Sequence, residues 1–448
     1  MAVLTVGGLA TGLDTNTLID QLVQIQSQPL QILQDQLSSV QATQTSLATL
    51  GTKLSALKTA ADAVKSVGDF LVRKATSSSE TIVGAAAGSG AAAGSVTVTV
   101  TKVAHGSVAS ATVGATSTSD TIAAGAGFFK FTVGSGAEQS VAVSATTTLQ
   151  DLVNAINDLG AGVTASAVNL GTAASPDYRL QLTSNTTGAS STIAVTQDDT
   201  TLGVAVSQTG QNAEFTISGF AGTFQRESNT FSDVLPGVTF NLKSEGTATI
   251  TVADDADAIV EKVKALVSAF NDAVGFVAEQ SAITKSSDGK GLVVGSLASS
   301  STASGVVDTL HSIFSEALTA ATTQYVNLSS VGLQTQQDGT IAFDEGAFRT
   351  ALTADPEAVA EIFGGNGTDA GVATDLSAYI LEATGAQGSI TLGSSSLDTE
   401  IRGLQDEIDA AQRQVDAFEA DLKSQFAALE ALVSGLQQQG TFLTQAFK

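Results

Sequence analysis

Along the C-terminal stretch, apolar residues recur in alternating steps of four and three: Leu397, Ile401, Leu404, Ile408, Ala411, Val415, Phe418 and Leu422, then Gln425, Leu429, Leu432 and Leu436. This is the a/d seam of a heptad repeat. It predicts one helix over 397–439, about 65 Å long at 1.5 Å per residue. No small domain buries such a seam along its own side, so a second long helix is needed. The start of the chain offers one. Leu30, Leu33, Leu37, Val40, Leu47, Leu50, Leu54, Leu57, Ala61 and Val64 repeat at the same spacing, with Gln44 at one seam position. Over 47–64 the same pattern also fits an ordinary core helix. Ahead of it, Asp14, Thr15 and Asn16 supply N-caps for a shorter helix from about Thr17, with Ile19, Leu22 and Val23 on its apolar face and Pro29 ending or kinking it. The first half of the closing seam is therefore expected to be covered within the chain. Its last turns, from Leu429, meet only the short helix around Ile19–Val23.

Between these ends the period changes. From Ala75 the residues become small, and Val96, Val98 and Val100 then alternate with Thr97, Thr99 and Thr101 as in a half-buried strand. Strands are expected at 128–133, 141–143, 163–169, 179–183, 192–196, 213–217, 239–243 and 248–252, with one helix at 148–159. A helix follows over 258–279, introduced by Asp254, Asp255 and Asp257, whose charges suit a helix N-terminus. Residues 281–300 read as a loop with a turn at 287–289. Helices are expected at 306–318, 345–353, 356–363 and 372–382, with a hairpin around Asp338 and Gly339 between 331–333 and 340–343. The fold class is α+β and multidomain: terminal helices forming a coiled-coil or bundle stalk, with antiparallel β-rich head domains inserted. The expected division is 1–45 as an N-terminal arm, 46–75 as a helix of the helical domain, and 76–105 with 204–253 as one β-rich domain. An outer β-rich module at 106–203 interrupts it. Residues 254–390 form a helical domain with a small hairpin, and 391–448 the closing coiled-coil helix.

Composition narrows the function. The 448 residues carry 44 acids against 19 bases, a formal net charge of -25, which argues against nucleic acid or an anionic membrane as partner. There is no Cys, so disulfides and cysteine-based metal or redox chemistry are excluded. No run of 18 apolar residues occurs, so no membrane insertion is expected. The N-terminal segment has no basic region, apolar core and cleavage site of a secretory leader. His105 and His311 have no evident ligand set around them, and the acids at 254–257 lack the spacing of a calcium loop. Gly88–Gly94 precedes a strand and no Lys-Ser/Thr pair follows it, unlike a phosphate loop. The sequence shows neither catalytic constellation nor cofactor site.

Several blocks together resemble the bacterial flagellar filament cap family, also called the flagellar hook-associated protein 2 family. GLATGLDTNTLIDQLVQIQSQPL (8–30) is similar to its opening. Residues 226–274 resemble its return into a helical domain. Residues 329–365 carry its Gly-Leu, Asp-Gly and Asp-Pro-Glu-Ala-Val pattern, and FAALEALVSGLQQQGTFLTQAF (426–447) is similar to its end. Residues 146–171 and 178–195 resemble a module that flagellins share. The resemblance implies a non-enzymatic cap at the distal tip of the flagellum, which helps exported flagellin fold and insert. It implies a ring-like homo-oligomer that contacts flagellin and the hook-associated junction proteins. It also implies an extracellular location, reached unfolded through the flagellar type III export apparatus with an export chaperone and no cleaved signal. Under it, Leu13, Leu18, Ile19, Leu22, Val23, Leu429, Leu432, Leu436, Phe442 and Leu443 become the expected subunit and filament interface. Leu397, Ile401, Leu404, Ile408, Val415, Phe418 and Leu422 form the expected coiled-coil seam. The alternatives are an adhesin carried on the flagellum and a flagellin-like or hook-junction filament subunit.

Overall fold

The computed structural model describes residues 14–88, 90–286, 291–316, 318 and 325–446. Helices α1 (Thr15–Gln26), α2 (Gln28–Asp62) and the one-turn α3 (Val67–Phe70) come first. Strands β1 (Arg73–Ser77), β2 (Val83–Ala87), β3 (Gly94–Lys102), β4 (Val108–Ala111), β5 (Gly127–Val133) and β6 (Gln139–Val143) lead to α4 (Leu149–Asp158). Then come β7 (Val163–Asn169), β8 (Tyr178–Ser184), β9 (Ile193–Asp198), β10 (Val204–Gln208), β11 (Ala213–Ile217), β12 (Phe224–Arg226), β13 (Thr230–Leu235), β14 (Val238–Leu242) and β15 (Gly246–Asp254). The rest comprises α5 (Ala256–Ser281), β16 (Ile283–Lys285), β17 (Leu292–Val294), α6 (Ser301–Ser315), β18 (Leu333–Thr335), β19 (Ile341–Phe343), α7 (Glu345–Ala354), α8 (Pro356–Gly364), α9 (Val372–Thr384) and α10 (Ser389–Ala446). Two compact units result: one from the chain up to Phe70 and from Ile259 onward, the other from Leu71–Ala258.

The β-rich unit has two cores. The first lies between the sheet β1-β15-β3-β11-β12 and the sheet β13-β14-β2, whose pairings are antiparallel. Val98, Val100, Ile250 and Val252 point inward, as period-two alternation requires. Phe224, Phe215, Phe231 and Phe240 stack in succession, with centroids 5.5, 4.7 and 5.6 Å apart. The second core is covered by β10-β4-β8-β7, by β6-β5-β9 and by α4. Helix α4 opens on a capping box: the Asp151 N–H donates to Thr148 Oγ1 at 3.2 Å, and the Thr148 N–H donates back to Asp151 at 3.0 Å. Asn229 joins β13 to the chain leaving β3 by exchanging two hydrogen bonds with the Ala104 backbone, 2.7 and 2.8 Å.

In the helical unit, α2 buries Leu47, Leu50, Leu54, Leu57 and Ala61 and packs on α9 and α10. Phe70 of α3 stacks on Phe363 of α8 at 5.0 Å, and Phe270 of α5 meets Phe314 of α6 at 4.1 Å. Asn271 clamps β19 through both backbone groups of Ile341, at 2.9 and 2.7 Å. Lys262 donates to the Ala63 carbonyl at 3.2 Å and to that of Asp69, placing a cation at the C-terminal end of α2.

Three local expectations change. Residues 281–300 are not a plain loop: β16 and β17 form a two-stranded ribbon. The turn expected at 287–289 lies outside the described residues. Helix α6 spans 301–315 rather than 306–318, because Ser300 caps it early through the Ala303 N–H. The chain is extended at Glu316, and the Leu318 N–H donates to the Val326 carbonyl at 2.8 Å. Strands β1, β2, β4, β10, β12 and β13 were not expected. The VGAAA of β2 has no apolar alternation and is held by backbone pairing to β14.

Candidate interaction surface

The surface is built on the ends of α1 and α10. Asp14 caps α1: its carboxylate accepts from the Thr17 N–H at 3.1 Å and from the Thr17 hydroxyl at 2.5 Å. The Thr17 hydroxyl bond, then the backbone bond, holds the Asp14 carboxyl below the usual range. Helix α1 ends where the Ser27 N–H donates to the Val23 carbonyl at 2.8 Å. Pro29 then stands in the first turn of α2, where its missing N–H costs nothing. Helices α1 and α2 both pack against α10. The Lys423 ammonium is held above its usual range by its bond to Glu419 and, more weakly, by the charge of Asp20 across on α1.

The seam residues differ in exposure along α10. Ile401 and Val415 are buried, while Leu397, Leu404, Ile408, Phe418 and Leu422 are half-buried. Gln44 of α2 donates to the Asp398 carboxylate at 2.5 Å within this covered length. Farther along, Leu429, Leu432 (65% exposed), Leu436, Phe442 (71% exposed) and Leu443 lie open to solvent. On α1, Ile19 is buried and Val23 half-buried, whereas Leu18 and Leu22 are exposed; Leu13 lies outside the described residues. Ile25 and Ile32, absent from the expected interface, are exposed as well. Their signal was the same Gln-rich, almost uncharged stretch. After Glu430 no charged residue occurs until Lys448, and between Thr15 and Leu33 the only charge is Asp20. Leu18, Leu22 and Ile25 are spaced as one helical stripe, as are Leu429, Leu432, Leu436 and Leu443.

Elsewhere the polar groups have structural duties. His311 reaches the Gly339 carbonyl at 2.8 Å, and His105 contacts Gln208 at 2.9 Å. Asp255 accepts from the Ala258 N–H at 3.2 Å, and Asp254 pairs with Arg73 at 2.8 Å. Among the described residues no group of three His, Cys, Asp or Glu could hold a metal, and no helix is long and apolar enough to cross a membrane.

The chain is similar to known proteins. The model for the flagellar hook-associated protein 2 C-terminus matches residues 210–438, that for its N-terminus matches 11–107, and the flagellin hook IN motif matches 129–186. A flagellar hook-associated protein 2 of Escherichia coli is 28% identical over 325 residues, 68% of either chain. A B-type relative from Pseudomonas aeruginosa is 30% identical over 226 residues, 49% of this chain and 46% of the relative. The crystal structure of the flagellar cap protein FliD D1-D2-D3 domains from Escherichia coli superposes with a TM-score of 0.62 at 26% identity, covering 79% of this chain and 99% of that one. The flagellin motif lies between the two hook-associated protein 2 matches, so a filament-subunit reading is not favoured. With more than half of its length matched by the C-terminal model alone, the chain belongs to the flagellar hook-associated protein 2 family, the flagellar filament cap proteins.

Proposed function

We propose that this chain is a subunit of the cap at the distal tip of a bacterial flagellar filament, where it promotes the folding and insertion of exported flagellin without catalysis or cofactor. Several copies join in a ring. The exposed ends of α1 and α10 seat on flagellin or the hook-associated junction proteins. The interface comprises Leu13, Leu18, Ile19, Leu22, Val23, Leu429, Leu432, Leu436, Phe442 and Leu443, and the seam from Leu397 to Leu422 holds the subunit's own helices together. In this reading the chain leaves the cell unfolded through the flagellar type III export apparatus, attended by a chaperone and without a cleaved signal. Residues 106–203 are a module inserted into the β-rich domain formed by 76–105 and 204–253. The observation carrying the proposal is the exposed apolar stripe that runs on past Glu430, where the charges stop: a helix end meant for water would carry charge.

The test is a strain whose chain lacks residues 429–448. The purified truncated protein keeps its β-rich unit, measured by circular dichroism and protease resistance, while filaments stop growing and flagellin is shed into the medium. Filaments of normal length on that strain refute the proposal.

A further inference from the structure

The helical unit carries a second apolar feature, away from the ends of α1 and α10. The ribbon β16–β17 pairs Ile283 with Val294 and Lys285 with Leu292. Ile283, Leu292 and Val294 are 61, 69 and 60% exposed. These positions share one face of the ribbon, and Val293 on the other face is also exposed. A two-stranded ribbon of this size is marginal in water by itself. Its base is nevertheless fixed. Ser296 bonds Ser46 at 2.7 Å, and Thr43 donates to the Ser296 carbonyl at 2.9 Å. A side chain at Gly295 would lie 2.1 Å from the Gln280 carbonyl, so the bend leaves no room for another residue. The ribbon is an anchored projection whose apolar side chains stand exposed.

A complementary surface lies on the other flank of α2. Ala48, Gly51 and Ser55, with Ser394 and Asp398 of α10, line a shallow groove of small side chains with a carboxylate on its rim. At 3.6 residues per turn, the anchor residues Thr43 and Ser46 sit roughly 140° around α2 from Ala48, Gly51 and Ser55. The ribbon therefore points away from the groove of its own subunit. We propose that it enters the groove of a second copy of this chain, with Ile283, Leu292 and Val294 against the small residues and Lys285 facing Asp398. Lys285 is exposed. A contact between two different faces of the same chain is head-to-tail, the kind of contact from which a ring is built when its rotation closes. The inference deepens the ring-forming part of the proposed function and rests on it.

Because the chain has no Cys, paired cysteines test it cleanly in the full-length protein. The double variant Leu292→Cys with Ser55→Cys, mildly oxidised, gives a ladder of disulfide-linked oligomers on a non-reducing gel. A mixture of the two single variants gives dimers only. Leu292→Asp, at an already exposed position, weakens self-association at least tenfold in sedimentation velocity and leaves the melting temperature unchanged. The inference is overturned if Leu292→Cys alone cross-links as well as the double variant, which means ribbon pairs with ribbon. It is equally overturned if the ladder is no stronger than with Leu292→Cys and Ser38→Cys. The ladder is read on purified protein, whereas capping is read at a filament tip with the ribbon intact, so either result can fail without the other.

Discussion

Replacing Leu432, Leu436 and Phe442 together by Gln separates attachment from folding. Gln keeps nearly the helix propensity of Leu, so the change removes apolar surface and little else. Fully burying a Leu or Phe side chain is worth about 1.5–3 kcal/mol. These three are 65, 58 and 71% exposed in the isolated chain, so docking recovers about 1–2 kcal/mol from each, or about 3–5 kcal/mol together. At 1.4 kcal/mol per factor of ten, attachment weakens by a hundred-fold to more than a thousand-fold. Folding changes by no more than about 0.5 kcal/mol, because side chains already in water lose nothing on substitution. Two measurements decide the matter. Thermal or denaturant melts of the purified variant should overlay those of the parent. In a strain carrying the variant, electron microscopy should show short or absent filaments, with monomeric flagellin in the medium. Normal filaments refute the reasoning. So does a melt destabilised by 2 kcal/mol or more, which means the end of α10 is held within the subunit.

Further outcomes follow from single side chains. Asp62 accepts from Lys58 at 2.6 Å, Ser377 at 2.6 Å and Lys65 at 2.9 Å; these bonds, with that from Lys58 the largest, hold its carboxyl far below the usual range. A depressed folded value means the stabilisation is complete above the unfolded value near 4 and is lost as the pH falls below it. Water screens this partly open cluster, so Asp62→Asn costs about 1 kcal/mol at pH 7, and the gap between the two melts narrows in acid; a gap that widens in acid contradicts the assignment. Asn271→Ala removes both bonds to Ile341 and lowers denaturant stability by about 1–3 kcal/mol, with the early loss read at β19 by hydrogen exchange. Phe215→Ala opens a hole in the stack from Phe224 to Phe240 and costs about 3–5 kcal/mol, seen as selective unfolding of the β-rich unit under limited proteolysis.

Much of the fold was legible because burial leaves a period. The alternation of Val96, Val98 and Val100 marked β3. The three-four spacing of Leu47, Leu50, Leu54 and Leu57 marked α2, and the stretch 148–159 read as the one helix among the strands. Elements held mainly by backbone pairing left no such mark. In β2, Ala85 faces Phe240 and Ala87 faces Val238 across the ladder, so the partner strand supplies the bulk that Ala lacks. The ribbon β16–β17 escaped for the opposite reason. Its Ile, Leu and Val are exposed, and three residues per strand are too few for a period to register.

The candidate surface shows what periodicity can and cannot say. The heptad runs without change of spacing from Leu397 to Leu436, yet burial gives way between Leu422 and Leu429. Spacing alone does not reveal that boundary, which is set by how far α1 and α2 extend along α10. Charge does mark it. Over 397–423 the helix carries Asp398, Glu400, Asp406, Glu407, Asp409, Asp416, Glu419 and Asp421 with Arg402, Arg413 and Lys423, the dress of a helix with one face packed and the rest in water. Beyond Glu430 these charges stop while the Leu spacing continues. A helix end left in solvent gains solubility from charge and nothing from Leu, so apolar spacing that outlasts both its intramolecular cover and its charges is the pattern of a surface shaped for another chain.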